Sequence, residues 1–174
     1  MCHRCRASRP SFQQLRSACV YEGVARDAVI AIKFGGLSSI APVMAAMMVE
    51  RVSKWSPQID FITHVPLASG RKKERGYDQA GLIAKELSKL IEVPYEQRAL
   101  KRARRTVPQV DQPDEDARRS NVADAFSLGS RPVEGGVLLI DDVVTTGATL
   151  DACARVLASD GAGPVYALTF ARED

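Results

Sequence analysis

The chain has 174 residues, is 45% hydrophobic and 26% charged, and carries a formal net charge of +3. That is one domain with enough chain for a sizeable core, and with no global basic field that would demand nucleic acid. Its longest uncharged apolar run, Ile40 to Val49, has ten residues and contains Pro42, whereas crossing a bilayer takes about 20. The start, Met1-Cys2-His3-Arg4-Cys5-Arg6, lacks the apolar core of a signal peptide, so a cytoplasmic protein without membrane insertion is expected.

Residues 1–18 are polar and read as an N-terminal arm, ahead of one α/β domain over 19–174. Cys2-x-x-Cys5 has zinc-knuckle spacing, but a closed zinc site takes four ligands, and only His3 and Cys19 lie nearby. Zinc is therefore not expected from this chain alone. Cys19-Val20-Tyr21 reads as a short strand and Val24 to Phe34 as a helix stopped by Gly35-Gly36. Ser38-Ser39 ahead of Pro42 opens a helix to about Lys54, whose Met44, Met47 and Met48 read as core filling. Ile59 to Pro66, led in by Pro57, reads as a strand.

A basic stretch follows, with Leu67, Arg71, Lys72, Lys73, Arg75 and Gly76, read as a loop; such charge runs also occur as plain solvated turns. The helix after it runs to about Ile91, with Ile83, Leu87, Leu90 and Ile91 on one face. His64 is given no role, since a lone strand histidine is more often structural. Tyr95 to Arg102 and Asp124 to Leu128 read as strands. Arg104 to Asn121 between them is so rich in charge and so poor in apolar residues that mobile surface is expected. Strands alternate with helices throughout, which argues for a parallel sheet.

Gly135-Gly136 introduces Val137-Leu138-Leu139-Ile140, the composition of a strand buried on both faces. Asp141-Asp142 stand where that strand should end. The turn Thr145-Thr146-Gly147-Ala148-Thr149 comes next, then a helix carrying Leu150, Cys153, Ala154 and Leu157 on one face, and Pro164 to Phe170 forms a last strand. A helix start offers unpaired N–H groups and a positive dipole end, and small residues with hydroxyls let a phosphate approach. Ionised carboxylates accept hydrogen bonds and suit vicinal sugar hydroxyls. A phosphate beside a diol describes ribose 5-phosphate; the plain alternative is a capped helix after a buried strand. Loops after residues 66 and 144 should share one edge of a parallel sheet, the usual site of ligands.

The stretch 137–149 resembles the phosphoribosyl-diphosphate (PRPP) motif of type I phosphoribosyltransferases. Arg75-Gly76-Tyr77-Asp78-Gln79-Ala80 resembles the Arg-Gly-(aromatic)-(Asn)-Gln-Ala loop of the ComF/GntX competence-protein family. So do Ile32-Lys33-Phe34-Gly35, Leu100-Lys101-Arg102, Arg105-Thr106, Gln109, Arg118, Asn121, Ala125 and Phe126. The resemblance covers nearly the whole chain from about residue 19 and implies a type I phosphoribosyltransferase-like parallel sheet flanked by helices.

It further implies PRPP binding by Asp141, Asp142, Val144, Thr145, Thr146, Gly147, Ala148 and Thr149, and a pyrophosphate loop of Leu67, Arg71, Lys72, Arg75 and Gly76. A flexible loop with Arg105, Thr106, Gln109, Arg118 and Asn121 would close over the reacting centre. Asp141, Asp142 and Arg75 would be catalytic, with Mg²⁺ at Asp141 and Asp142 through ligand or water. The implied activity is transfer of ribose 5-phosphate to an unidentified acceptor with release of pyrophosphate. The alternative is a non-catalytic competence protein that keeps the phosphoribosyl site and contacts single-stranded DNA; a homodimer also stands open. Two departures matter. The family's fuller zinc-ribbon-like array is reduced here to Cys2 and Cys5, and Asp78 replaces an Asn, which is expected to weaken anion binding unless a cation neutralises it.

Overall fold

The computed structural model describes residues 9–55, 58–102, 125–131 and 134–173. A four-stranded parallel sheet organises them, in the order β1-β6-β5-β2. Its strands are β1 (Gln14–Val20), β2 (Phe61–His64), β5 (Gly135–Val144) and β6 (Ala162–Arg172). Strand β5 is central because its apolar run serves two faces: Val137, Leu138, Leu139 and Ile140 are all fully buried. It pairs with β2 (Ile62 opposite Leu138, His64 opposite Ile140) and with β6 (Asp141 opposite Thr169).

Successive side chains point to opposite sides of a strand, and the core divides accordingly. Leu138, Ile140, Ile62, Leu168 and Phe170 pack with helices α1 (Gly23–Phe34), α2 (Ala41–Trp55) and α4 (Gln79–Ile91). Met44 and Met48 fill that side, as expected, whereas Met47, also read as core filling, is exposed to solvent. Val137, Leu139, Val165 and Ala167 pack instead with Leu150, Cys153 and Leu157 of α5 (Ala148–Ser159). A short antiparallel ribbon of β3 (Leu100–Arg102) and β4 (Phe126–Leu128) covers the rest through Leu100 and Phe126. Each large side chain buried in this way contributes about 1.5–3 kcal/mol.

Four segments differ from the sequence expectation. Strand β1 begins at Gln14, inside the stretch read as an irregular arm; it is an edge strand with several exposed side chains, so it carries no apolar run to announce it. Of residues 95–102 only Leu100–Arg102 forms a strand, while Tyr95 makes an isolated parallel bridge to Ile62. Strand β5 continues through the acidic pair to Val144, held there by β6. The basic loop is the short helix α3 (Ser69–Arg75). Arg, Lys and Glu lose little rotamer freedom in a helix, but with no buried residue α3 shows no amphipathic stripe. It ends at Gly76, whose φ of 82° suits glycine and whose N–H donates to the Lys72 carbonyl.

Candidate functional site

Because β2 and β5 are parallel neighbours, the segments that follow them lie on one edge of the sheet, as expected. After β5 the chain turns through Thr145 and Thr146, both exposed, into Gly147 with φ 81°, which starts α5. A side chain at Gly147 would be strained by that φ, so glycine lets the chain turn directly into the helix. The Ala148 N–H donates weakly to Thr146 Oγ1 at 3.4 Å. The first turn of α5 presents N–H groups and the positive end of the helix dipole, with Thr149 half-buried in it. Val144 adds only backbone here: its side chain is in the core, and its carbonyl accepts the Glu173 N–H at 2.9 Å.

The two carboxylates differ. Asp142 is buried and its Oδ1 lies 2.9 Å from Lys33 Nζ, near the end of α1. Its Oδ2 is buried without a hydrogen-bond partner among the described residues. Asp141 keeps some exposure, and its Oδ1 accepts the Asp142 N–H at 2.8 Å. Crowding by protein atoms and then the neighbouring Asp142 charge push the Asp141 carboxyl well above the ordinary range, against the pull of that N–H and of Lys33. The Mg²⁺ expected here through ligand or water finds no ready-made protein cage among the described residues. One Asp142 oxygen already faces an ammonium, and no group of three His, Cys, Asp or Glu side chains among the described residues is placed to hold a metal.

On the β2 side, Asp78 turns inward, opposite to what its sequence position suggested. Its Oδ2 accepts the Leu67 N–H at 2.9 Å and its Oδ1 caps α4 through the Gly81 N–H at 3.2 Å. His64 Nε2 lies 3.5 Å from Asp78 Oδ2, and His64 Nδ1 is 2.9 Å from the Tyr95 hydroxyl. An Nε2–H facing Asp78 and the Tyr95 hydroxyl paired with Nδ1 satisfy all three groups. Burial raises the Asp78 pKa, but the bond and charge of His64 and the two backbone amides outweigh it, and the net shift is downward. Burial and the Asp78 and Glu96 charges push the Tyr95 hydroxyl up. The negative charge is therefore compensated internally. His64, left without a role on sequence grounds, is part of the support for the basic segment.

Helix α3 presents Arg71, Lys72 and Lys73 to solvent and half-buries Arg75. The Arg75 guanidinium lies 5.0 Å from the centroid of the Phe34 ring, which is itself 74% exposed, and the Arg75 Nη1 is buried without a partner among the described residues. Between the ends of α1 and α3 opens a cleft of about 570 Å³, lined by Lys33, Phe34, Arg71, Glu74, Arg75 and Tyr77 among others. Tyr77 ties the two helices by donating to the Ile32 carbonyl at 2.7 Å. The cleft abuts the acidic pair through Lys33 and does not include the 145–149 turn.

The buried side-chain polar atoms that lack a partner among the described residues are Arg75 Nη1, Gln79 Oε1 and Asp142 Oδ2. All three belong to the segments after β2 and at the end of β5. The structure thus places Asp141, Asp142, the 145–149 turn and the 67–79 segment along one edge of the sheet. It adds Lys33 and Phe34, which had been noted only as part of a resembling pattern. Arg105, Thr106, Gln109, Arg118 and Asn121, like Cys2 and Cys5, lie outside the described residues.

No family model matches the chain. Among curated proteins it is 32% identical over 170 residues to the DNA utilization protein YhgH of Salmonella typhi, covering 94% of this chain and 74% of that protein. It is 35% identical over 116 residues to competence protein F of Haemophilus influenzae, covering 65% of this chain and 50% of that protein. Among solved structures it resembles the glutamine PRPP amidotransferase from B. subtilis, with a TM-score of 0.52 and 20% identity over 82% of this chain. The likeness spans only 30% of that enzyme, and it speaks to the fold: a parallel sheet flanked by helices, of the type I phosphoribosyltransferase kind.

Proposed function

The chain belongs to the ComF-like family of YhgH and competence protein F, which has the type I phosphoribosyltransferase fold, and from that premise we propose that it binds PRPP or ribose 5-phosphate at the edge formed by β2 and β5. One observation carries the proposal: on the sheet edge where α5 begins, Asp142 holds a buried acceptor and Arg75 a buried donor that lack partners among the described residues. A buried polar atom left unpaired costs about 1–3 kcal/mol. A ligand that offers hydroxyl donors to one and anionic oxygens to the other removes both costs.

In this reading the 5-phosphate rests on the turn Thr145–Thr149 and the ribose hydroxyls face Asp141 and Asp142. Arg71, Lys72 and Arg75, on a helix whose base is fixed by Asp78, stabilise the charge of a diphosphate as it leaves. Mg²⁺ fits as a companion of the diphosphate oxygens, not as an ion held by the carboxylates. The reaction is transfer of ribose 5-phosphate to an acceptor, with release of pyrophosphate. Calorimetric titration with PRPP and Mg²⁺, followed by pyrophosphate release over a panel of acceptors, tests it; absence of any binding heat refutes the site.

A second reading has its own support. The relatives' names refer to DNA utilization and competence, and Phe34 exposes an aromatic face beside Arg71 and Arg75, the pairing that single strands use for stacking and charge. In that reading the cleft contacts single-stranded DNA. Strand binding that persists in an Arg75→Ala, Phe34→Ala variant excludes the cleft as its seat.

A further inference from the structure

Lys33 is the feature the sugar-phosphate reading leaves unexplained. Its ammonium lies 2.9 Å from Asp142 Oδ1, with the Asp142 side chain 5% and the Lys33 side chain 24% exposed. Two adjacent ionised carboxylates at a buried strand end are unstable without a cation, since each raises the cost of the other's charge. Lys33 supplies that cation from within the fold. The hydrogen bond from Tyr77 to the Ile32 carbonyl holds the end of α1 in place, so the ammonium arrives on a fixed helix and not on a loop. Its 24% exposure and its place in the cleft wall keep a path open for it to withdraw.

We propose that Lys33 is the resident counter-cation of the acidic pair, occupying the place a divalent metal would otherwise take. The ligand-free protein thereby keeps divalent ions off Asp141 and Asp142. Lys33 is a positioning residue: it fixes the charge and the rotamer of Asp142. Asp142 Oδ2, which has no partner among the described residues, is the independent sign that the pair is built to accept a further hydrogen-bond donor. With Lys33 present, the ammonium offsets the Asp142 charge, which favours neutral hydroxyl donors over hard cations.

The test uses Mn²⁺ alone, followed by loss of the free-ion signal in electron paramagnetic resonance, together with thermal melts. Wild type and Lys33→Arg should take up little Mn²⁺. Lys33→Met should bind it at least about tenfold more tightly, because a unit positive charge has left a buried site. Its melting point should fall below that of wild type and recover when Mn²⁺ is added, whereas Lys33→Arg should melt near wild type with or without the ion. Adding Asp142→Asn to Lys33→Met should abolish the uptake. Lys33→Gln provides a second variant should Lys33→Met fail to fold. Equal Mn²⁺ affinity in wild type and Lys33→Met overturns the proposal, as does uptake that survives Asp142→Asn. So does failure of both neutral variants to fold with Mn²⁺ present. No sugar phosphate enters these measurements, so their failure leaves the sugar-phosphate reading intact, and failure of that reading leaves the Lys33 assignment standing.

Discussion

The Leu67 amide and the Asp78 carboxylate meet at 2.9 Å, and that bond closes the base of the segment carrying Arg71 and Arg75. The same carboxylate caps α4 through Gly81, so one side chain fixes where the cationic helix leaves the sheet and where the next helix begins. An Asn here has one acceptor oxygen for two amides and must turn its own N–H₂ toward one of them.

Asp78 should accordingly be a stability residue. Asp78→Ala removes a helix cap and strands the Leu67 amide, a loss of about 2–4 kcal/mol in all; Asp78→Asn should lose roughly half as much. Its folded pKa is depressed, so its contribution is complete above the unfolded value of about 3.9 and is lost as pH falls through the lower folded value. Urea unfolding at pH 7 and pH 3 measures both: the gap between wild type and Asp78→Ala should narrow at the acid end.

Asp141 should behave in the opposite sense. Its carboxyl is raised in the folded state and holds its proton where the unfolded chain has released it. The native state is therefore penalised as pH rises from about 4 through the folded value. Asp141→Asn should melt above wild type at pH 8, with the gain vanishing below about pH 4. Asp142→Asn, which removes the partner of Lys33, should instead cost about 1–3 kcal/mol at neutral pH. Calorimetric melts of both variants across pH decide the assignment.

The turn after β5 gives a ligand prediction. Thr146→Val with Thr149→Val removes two hydroxyl donors and leaves the backbone N–H groups, so affinity for ribose 5-phosphate should fall by roughly 1–3 kcal/mol. Titration calorimetry showing unchanged affinity would mean that the phosphate does not sit on this turn.

Gly81 offers a structural check on the His64 network. A Cβ there would lie 3.1 Å from His64 Nε2 and 3.2 Å from the Tyr95 hydroxyl. Helix propensity alone favours Ala over Gly by about 1 kcal/mol. If His64 and Tyr95 are held as described, Gly81→Ala should nonetheless be less stable than wild type, and in a Tyr95→Phe background it should become neutral or stabilising.

What the sequence made legible depended on whether the signal was local. Residues 137–149 put an apolar run, two carboxylates and a hydroxyl-rich turn in consecutive positions, and each has one natural place in a strand–turn–helix unit. Helix α4 was legible from the repeat of Ile83, Leu87, Leu90 and Ile91, of which Ile83 and Leu87 are fully buried, Ile91 is half-buried and Leu90, in the last turn, is exposed. Helix α3 was not, because nothing on it is buried and its charges suit a turn equally well. The role of His64 was invisible for another reason: its partners Asp78 and Tyr95 reach it only once β2, α4 and the Tyr95 bridge are assembled. Lys33 and Asp142 likewise meet only through the packing of α1 against the sheet. Asp78 misled because its residue type was readable and its direction was not.

The strand order carries a consequence for how the chain assembles. Strand β6, the last of the four in sequence, lies between β1 and β5 and hydrogen-bonds to both, with Tyr166 opposite Gln14 on one side and Leu138 on the other. During synthesis β1 emerges ahead of the other three and must wait for β6 before its partner exists, because no other strand among the described residues borders it. Such long-range pairing makes the closing step slow, and until it occurs the edges of β1 and β5 stand open to pairing with other chains. Chains interrupted ahead of β6 should therefore be collected as aggregates, whereas the finished chain closes its sheet in one step.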